Sequence, residues 1–432
     1  MTARRQAPLP IAFARLLLAH PLILASAGLI GVAIPRAMLQ GVTRATVLLG
    51  FAFAVLIFVG ELARVALPGA RESSPLATAG ALAFALTLAI GPRSVVMGVY
   101  ITIAVTAGAS CAGALVHAAV GRRPGFDAIA RRVVIVGLTA AAAPTVDVAL
   151  FHFSAPLRTV VVMVLVVAAA GLVDVLLSAV DRTWRLRTPL FASVQNELKL
   201  SVGLGAAVAA TGVLIPLAEG RMGLWALPAL SLPLLVTQFA YRRYAAVRAT
   251  YSQTIRALSR ITEVGGYVVQ GHAERVTELA VATGRLLGMT EDDLLDLEYA
   301  ALLHDVGQLS LDDPIPRGST LVVTPQHRAR VAGLGADIIR STGFLDRVAI
   351  LVERQAEPYR RTRRDSDLTV PLGSRIIKAV SAYDDLVSDA GGDVRGPVDA
   401  LERLRLGMAY EYDPRVVAAL ADVVARNPVL DR

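Results

Sequence analysis

The spacing of apolar positions divides the chain in two. From the N-terminus to about residue 240, long runs of Ala, Val, Leu and Ile are broken only by short polar stretches. A helix needs about 20 mostly apolar residues to cross a bilayer. Eight stretches approach that length: 13–34, 46–66, 74–91, 95–119, 132–152, 158–179, 199–218 and 222–240. The first is interrupted by His20 and Pro21, and the third is short. Beyond residue 240 the period changes. Val247, Tyr251, Ile255, Leu258 and Ile261 recur at intervals of three and four, which is one stripe along a helix. Gly265-Gly266 then predicts a break. From Gly271 onward apolar residues keep helical spacing among charged ones, beginning with Val276, Leu279, Ala280 and Leu286. Thr290 with Asp293 resembles a capping box and opens a helix predicted to run to Val306. A Pro-rich loop follows at Asp312–Arg317, and further helices are predicted over 325–341, 345–356, 372–390, 396–408 and 413–426. Strand signal is weak. The expected fold is all-α: a polytopic transmembrane bundle of about eight helices over 1–240, a helical connector over 241–265, and an all-helical domain over 266–432.

Composition agrees with this division. The 432 residues are 55% hydrophobic, with a mean hydropathy of +0.57, too apolar for an ordinary soluble chain. Net charge is +8 and comes almost wholly from arginine, since Lys199 and Lys378 are the only lysines. No basic stripe carries interleaved aromatics, so nucleic acid is not an expected partner. The basic residues instead predict an orientation. Arg122, Arg123, Arg131 and Arg132 lie between the fourth and fifth apolar stretches. Arg182, Arg185, Arg187 and Lys199 lie between the sixth and seventh, and Arg242, Arg243 and Arg248 follow the eighth. The positive-inside rule then places both termini in the cytoplasm, with the chain crossing the cytoplasmic (inner) membrane several times. The basic start Met1-Thr2-Ala3-Arg4-Arg5 has no clear cleavage site, so the first apolar stretch is expected to be retained. The single cysteine, Cys111, excludes an intrachain disulfide framework and a Cys-rich zinc site.

Ionisable residues within apolar stretches are candidates for function. Here they are Glu61, Asp147 and Asp174. Glu61 and Arg64 are three apart and can pair on one helix. In the expected topology Asp147 and Asp174 lie at different depths and do not pair. Local pairing or snorkelling is the plainer reading of all three, and a ligand or ion site the sharper one. The connector stripe also has two readings: packing against its own domain, or pairing with the same helix of a second copy to form a homodimer.

The chemistry concentrates in the C-terminal third. His304 and Asp305 adjoin within Leu302-Leu303-His304-Asp305-Val306-Gly307, and His272 stands in Gly271-His272-Ala273-Glu274-Arg275-Val276. Only six histidines occur in the chain. A buried His-Asp doublet on an apolar helix is costly without partners, and a divalent metal would satisfy both. With Gly335-Ala336-Asp337-Ile338-Ile339, Val370-Pro371-Leu372-Gly373-Ser374-Arg375-Ile376-Ile377 and Ala382-Tyr383-Asp384-Asp385-Leu386, these stretches resemble, in order and spacing over about 250–390, the HD superfamily of metal-dependent phosphohydrolases and its HD-GYP branch.

The resemblance implies metal ligands at His272, His304 and Asp305, with Asp305 also catalytic, and many HD-GYP proteins cleave cyclic di-GMP. It is incomplete. The family lysine after the doublet is Gln308, the next family histidine is Val331, and the late metal-binding aspartate is Ser381. The His-His-His-Glu run aligns with Arg354-Gln355-Ala356-Glu357, and the GYP loop becomes Tyr359-Arg360-Arg361-Thr362-Arg363-Arg364. Asp384, one turn after Ser381, is a substitute candidate. His327 is out of register and is read as a surface residue. At most one divalent transition metal is expected, iron, manganese or another, or none if the three residues are a hydrogen-bonded remnant. Arg354, Arg360 and Arg361 are candidate contacts to a nucleotide phosphate, and the arginine-rich loop has lipid headgroups as a second candidate partner.

Three functions follow as expectations. The first is a membrane-anchored signalling protein whose degenerate domain binds a cyclic dinucleotide, another nucleotide or a protein, with catalysis weak or absent. The second is an active mononuclear phosphodiesterase. The third makes the membrane half a small-molecule receptor or transporter.

Overall fold

The structure, a computed structural model, describes residues 21–39, 43–67, 71–90, 98–122, 125–149, 155–186, 189–313, 315, 318–319, 323–360, 370–388, 396–408 and 410–426. Contacts group the chain into two compact units. One comprises Met1–Asp181 with Glu197–Ala245, the other Arg182–Asn196 with Ala246–Arg432.

The apolar runs of the first unit fold as helices α1 (Pro21–Met38), α2 (Arg44–Leu62), α3 (Pro75–Ile90), α4 (Gly98–Ala119), α5 (Phe126–Ala149), α6 (Ala155–Leu186), α7 (Leu190–Met222) and α8 (Ala226–Val264). One short antiparallel ladder, β1 (Val65–Leu67) with β2 (Arg71–Ser73), departs from the all-helical expectation and sets Val65 opposite Ser73. By length and composition, five helical stretches among the described residues are sufficient to cross a membrane: Arg44–Leu62, Gly98–Ala119, Phe126–Asp147, Leu157–Trp184 and Val202–Val264. Leu22–Met38 and Pro75–Ala89 are apolar but shorter. Phe51, Leu165, Val202 and Phe239 are among the large apolar side chains left uncovered, as lipid-facing positions would be. Helix α3 is the opposite case. It is rich in alanine, is buried at nearly every described position and packs against α2, α4 and α5.

The helices overrun the apolar stretches, and this corrects the placement of several basic residues. Arg131 and Arg132 lie on α5, Arg182 on α6 and Lys199 on α7, rather than in connecting loops. Arg132 is drawn inward by Glu61, which is fully buried. Its Nη1 donates to Glu61 Oε2 at 2.7 Å and to Ser110 Oγ at 2.8 Å. Arg64 Nε donates to Glu61 Oε1 at 2.7 Å, the local pair expected from the sequence. Gly113 makes room for this cluster, because a Cβ there would stand 2.7 Å from the Glu61 Cβ. Asp147 is paired with Arg158 at 3.0 Å and Asp174 with Arg131 at 2.6 Å. Cys111 is exposed on α4.

Helix α8 continues without a break through 240, the expected end of the membrane domain, and stops at Val264, just before Gly266 turns at φ +75°. The connector stripe separates into two sets. Ile255 is buried in the core of the second unit and the Tyr251 ring meets Phe344 at 5.3 Å, whereas Val247, Leu258 and Ile261 are exposed.

The second unit then adds α9 (His272–Leu286), α10 (Glu291–Leu303), α11 (Pro325–Arg340), α12 (Asp346–Arg354), α13 (Leu372–Val387), α14 (Pro397–Gly407) and α15 (Pro414–Arg426). Thr290 caps α10, its Oγ1 accepting from the Asp293 amide at 3.3 Å. Leu297, Ile339, Val352, Ile376 and Leu420, each from a different helix, meet in a single apolar core.

Candidate metal centre

Three helices of the second unit bring the chemistry together. His272 is the first residue of α9. The His304-Asp305 doublet lies just beyond the end of α10, not within it as the apolar pattern suggested. The chain there tightens into a 3-10 turn over Val306–Ser310, in which Gly307 passes against the backbone of α11. A Cβ on Gly307 would lie 2.0 Å from the Val331 carbonyl oxygen and 2.7 Å from the Gly335 nitrogen. A Gly307→Ala protein is therefore expected to lose about 2–3 kcal/mol through overpacking against backbone. A thermal melt of the purified protein checks this, and an unchanged midpoint would refute the close approach. Helix α13 contributes Ser381, Asp384 and Asp385 from one face.

All six side chains are buried. His304 Nδ1 donates to the Ala301 carbonyl at 2.8 Å, and His272 Nδ1 donates to Asp384 Oδ2 at 2.7 Å. These partners assign the tautomers and leave both Nε2 atoms as lone-pair bearers in the neutral rings. The two Nε2 atoms nevertheless face each other at 3.3 Å. Asp305 Oδ2 lies 3.4 Å from His272 Nε2 and 3.1 Å from His304 Nε2. Two lone pairs and a carboxylate oxygen converging on one point require a cation there. First-row metals bind such ligands at about 2.0–2.2 Å, which puts neighbouring ligand atoms about 3.0–3.4 Å apart. His272, His304 and Asp305 thus fit one divalent ion, and they form a potential metal-holding group among the described residues.

In a metal-free site the cation is a proton. Burial disfavours the His272 imidazolium, but hydrogen bonds to Asp305 and Asp384 outweigh it and raise its pKa to about 10. Asp305 is held ionised, down to about 2, since its attraction to His304 and its hydrogen bond to His272 overcome burial. Its Oδ1 also accepts from Gln308 Nε2 at 2.9 Å, so the residue in the family lysine's place supports the doublet.

Asp384 does not join the three converging atoms. Its oxygens accept from Arg275 Nε and Nη2 at 2.7 and 2.8 Å as well as from His272, so it orients a ligand and is already neutralised. Ser381 places its Oγ 3.2 Å from His304 Nε2. Asp385, not selected from the sequence, lies 3.8 Å from His272 Nδ1 and accepts from Ser319 Oγ at 2.9 Å. Burial pushes it up to about 7. The adjacent acidic pair was visible in the sequence, but which member touched the histidine was not.

A cavity of about 50 Å³ adjoins His304 and Asp305, walled also by Arg328, Val331, Gln355, Lys378 and Ser381. Arg354 and Arg360, the expected ligand contacts, are not among its lining residues. Arg354 is paired with Glu357 at 3.0 Å and Arg360 lies by the Tyr359 ring. Arg361 lies outside the described residues. His327 sits in the first turn of α11, its amide held by Thr324, and is not part of the cavity lining.

Residues 256–416 match the HD domain family, so the second unit carries an HD-superfamily domain in a chain whose other unit is built of apolar helices. The chain is also similar to the cyclic di-GMP phosphodiesterase response regulator RpfG of Xanthomonas campestris pv. campestris (strain 8004), with 25% identity over 176 residues, 39% of this chain and 47% of that protein. The match therefore spans about half the length of the curated relative. No solved structure matches.

Proposed function

We propose that this is a membrane-anchored signalling protein of the cytoplasmic membrane. In this reading about eight helices cross the bilayer, both termini are cytoplasmic, and the HD domain holds one divalent metal and binds a cyclic dinucleotide or related nucleotide with hydrolysis weak or absent. The observation that carries it is the convergence of His272 Nε2, His304 Nε2 and Asp305 Oδ2 beside a cavity where Val331, Gln355 and Ser381 stand in place of further metal donors. Iron or manganese suits two imidazoles and a carboxylate. When bound, such an ion polarises a phosphoryl oxygen or activates water. The chain's own contribution is orientation. Asp384 and the Ala301 carbonyl fix the ring tautomers, and Gln308 fixes the Asp305 carboxylate. A single ion leaves the attacking and departing oxygens of a phosphodiester without the paired clamp that two-metal sites provide.

The test measures cyclic di-GMP binding and turnover on the full-length protein in detergent. Binding without appreciable hydrolysis is expected, with binding weakened in His304→Ala. Efficient hydrolysis that disappears in His304→Ala would establish the mononuclear phosphodiesterase instead.

A receptor role for the membrane half has one observation in its favour. A cavity of about 560 Å³ lies in the first unit, apolar along Leu82, Val167 and Val202 and polar at Thr78, Arg131 and Asp174. A small molecule that raises the melting temperature of the protein, and fails to do so after Asp174→Asn, would support it.

A further inference from the structure

The two helices that lack expected metal ligands each present a cation to the same cavity. Arg328 precedes Val331 by three residues on α11, and Lys378 precedes Ser381 by three on α13. Residues three apart share a helix face, so each cation looks where the missing ligand would have looked. Both line the cavity that His304 and Asp305 also line. Two cations share one carboxylate. Glu411 Oε1 accepts from Arg328 Nη2 at 3.3 Å, and its Oε2 accepts from Lys378 Nζ at 3.2 Å. Lys378 donates further to the Glu357 carbonyl at 2.9 Å and, at a long 3.4 Å, to the Ala356 carbonyl, neither of which carries a formal charge. Arg328 Nε is buried with no hydrogen-bond partner, a costly state for a guanidinium donor. Glu411 and Asp305 balance the two cations in the metal-free wall, and a divalent ion held by His272, His304 and Asp305 would leave the wall net positive beside an unanswered donor. By the measure that a water needs roughly 10–15 Å³, the cavity's space admits a few waters or one group of similar bulk.

We propose that Arg328 and Lys378 form an oxyanion subsite that takes one phosphate group of the ligand, fixed protein charge replacing the charge that additional metals would supply. The proposal rests on the reading that the HD domain binds a phosphorylated ligand. Arg328 donates to the phosphate oxygens, Lys378 Nζ exchanges its long contact to the Ala356 carbonyl for one of them, and His272, His304 and Asp305 would hold a metal alongside.

Inorganic phosphate is the probe, titrated calorimetrically into the full-length, manganese-loaded protein in detergent. Arg328→Gln and Lys378→Gln are each expected to weaken phosphate binding about 10- to 100-fold, the loss of one charge-assisted hydrogen bond. Manganese stoichiometry should stay unchanged. Glu411→Gln releases both cations and is expected to tighten phosphate binding several-fold, a gain that general damage to the fold would not produce. Arg328→Lys keeps the charge and controls for misfolding. Phosphate affinity unchanged in both glutamine variants overturns the subsite, even where cyclic di-GMP still binds. Loss of manganese and of cyclic di-GMP binding from the unaltered protein overturns the broader reading, and phosphate binding sensitive to Arg328 and Lys378 would still establish the subsite.

Discussion

An Arg132→Met protein is expected to lose about 1–3 kcal/mol of stability, because a buried carboxylate oxygen is left without its donor while the charge itself stays paired with Arg64. Glu61 has no exposed surface, and its two oxygens are divided between Arg132 and Arg64. Methionine fills much of the arginine volume but returns nothing to Glu61 Oε2. It also leaves Ser110 Oγ without the donor it now accepts from. Glu61→Gln leaves two buried guanidinium groups, Arg132 and Arg64, without their carboxylate and is expected to cost more, about 3–5 kcal/mol. Thermal unfolding of the purified protein in detergent measures both. Equal melting temperatures for the unaltered protein and Arg132→Met would show that the pair does not hold the bundle together.

Chelation should have a comparable effect on the other unit. A ligand present at 1,000 times its dissociation constant stabilises by about 4.1 kcal/mol, or roughly 10 °C for a domain of this size. Treating the metal-loaded protein with EDTA is expected to lower the melting temperature of the HD domain by that amount. His304→Ala should carry less than about a tenth of an equivalent of metal, having lost one of three ligands, and should show no EDTA shift. Metal on the His304→Ala protein at full occupancy would place the ion elsewhere. The dependence on pH has a definite sign. In the metal-free fold His272 stays protonated up to about 10, while the unfolded side chain loses its proton near 6.5. Its contribution to metal-free stability is complete below about 6.5 and is lost as pH rises through about 10. A metal displaces that proton, so metal affinity rises with pH across the same window, by up to tenfold per unit. A metal affinity that is flat between pH 6.5 and 9 would show that no proton is exchanged.

Much of this architecture could be read from the chain because it depends on local pattern. Long apolar runs located the helices of the first unit, and the ordered series around His272, His304 and Gly335 located the HD domain. The parts that escaped depend on distant contacts. Arg132 looked like a loop residue because its partner, Glu61, is 71 positions away in sequence. The helix before the doublet seemed to continue to Val306 because nothing local shows Gly307 meeting the Val331 carbonyl. Asp384 stood as a substitute ligand on the face it shares with Ser381, and the sequence does not show that Arg275 and His272 hold its oxygens. Arg328 and Lys378 went unselected for a related reason. A cation is ordinary on any helix, and only the shared cavity relates one to the other.

The burial of α3 has a consequence for how this protein meets lipid. At 1.5 Å per residue its 16 residues extend about 24 Å, less than the roughly 30 Å of a typical hydrocarbon core. A lipid-exposed helix of that length would thin the bilayer or strain its flanking residues. Helix α3 is wrapped by α2, α4 and α5 and has almost no surface to offer acyl chains. Hydrophobic mismatch therefore acts on the outer helices, and membranes of different thickness would tilt those while leaving the central one at its own length.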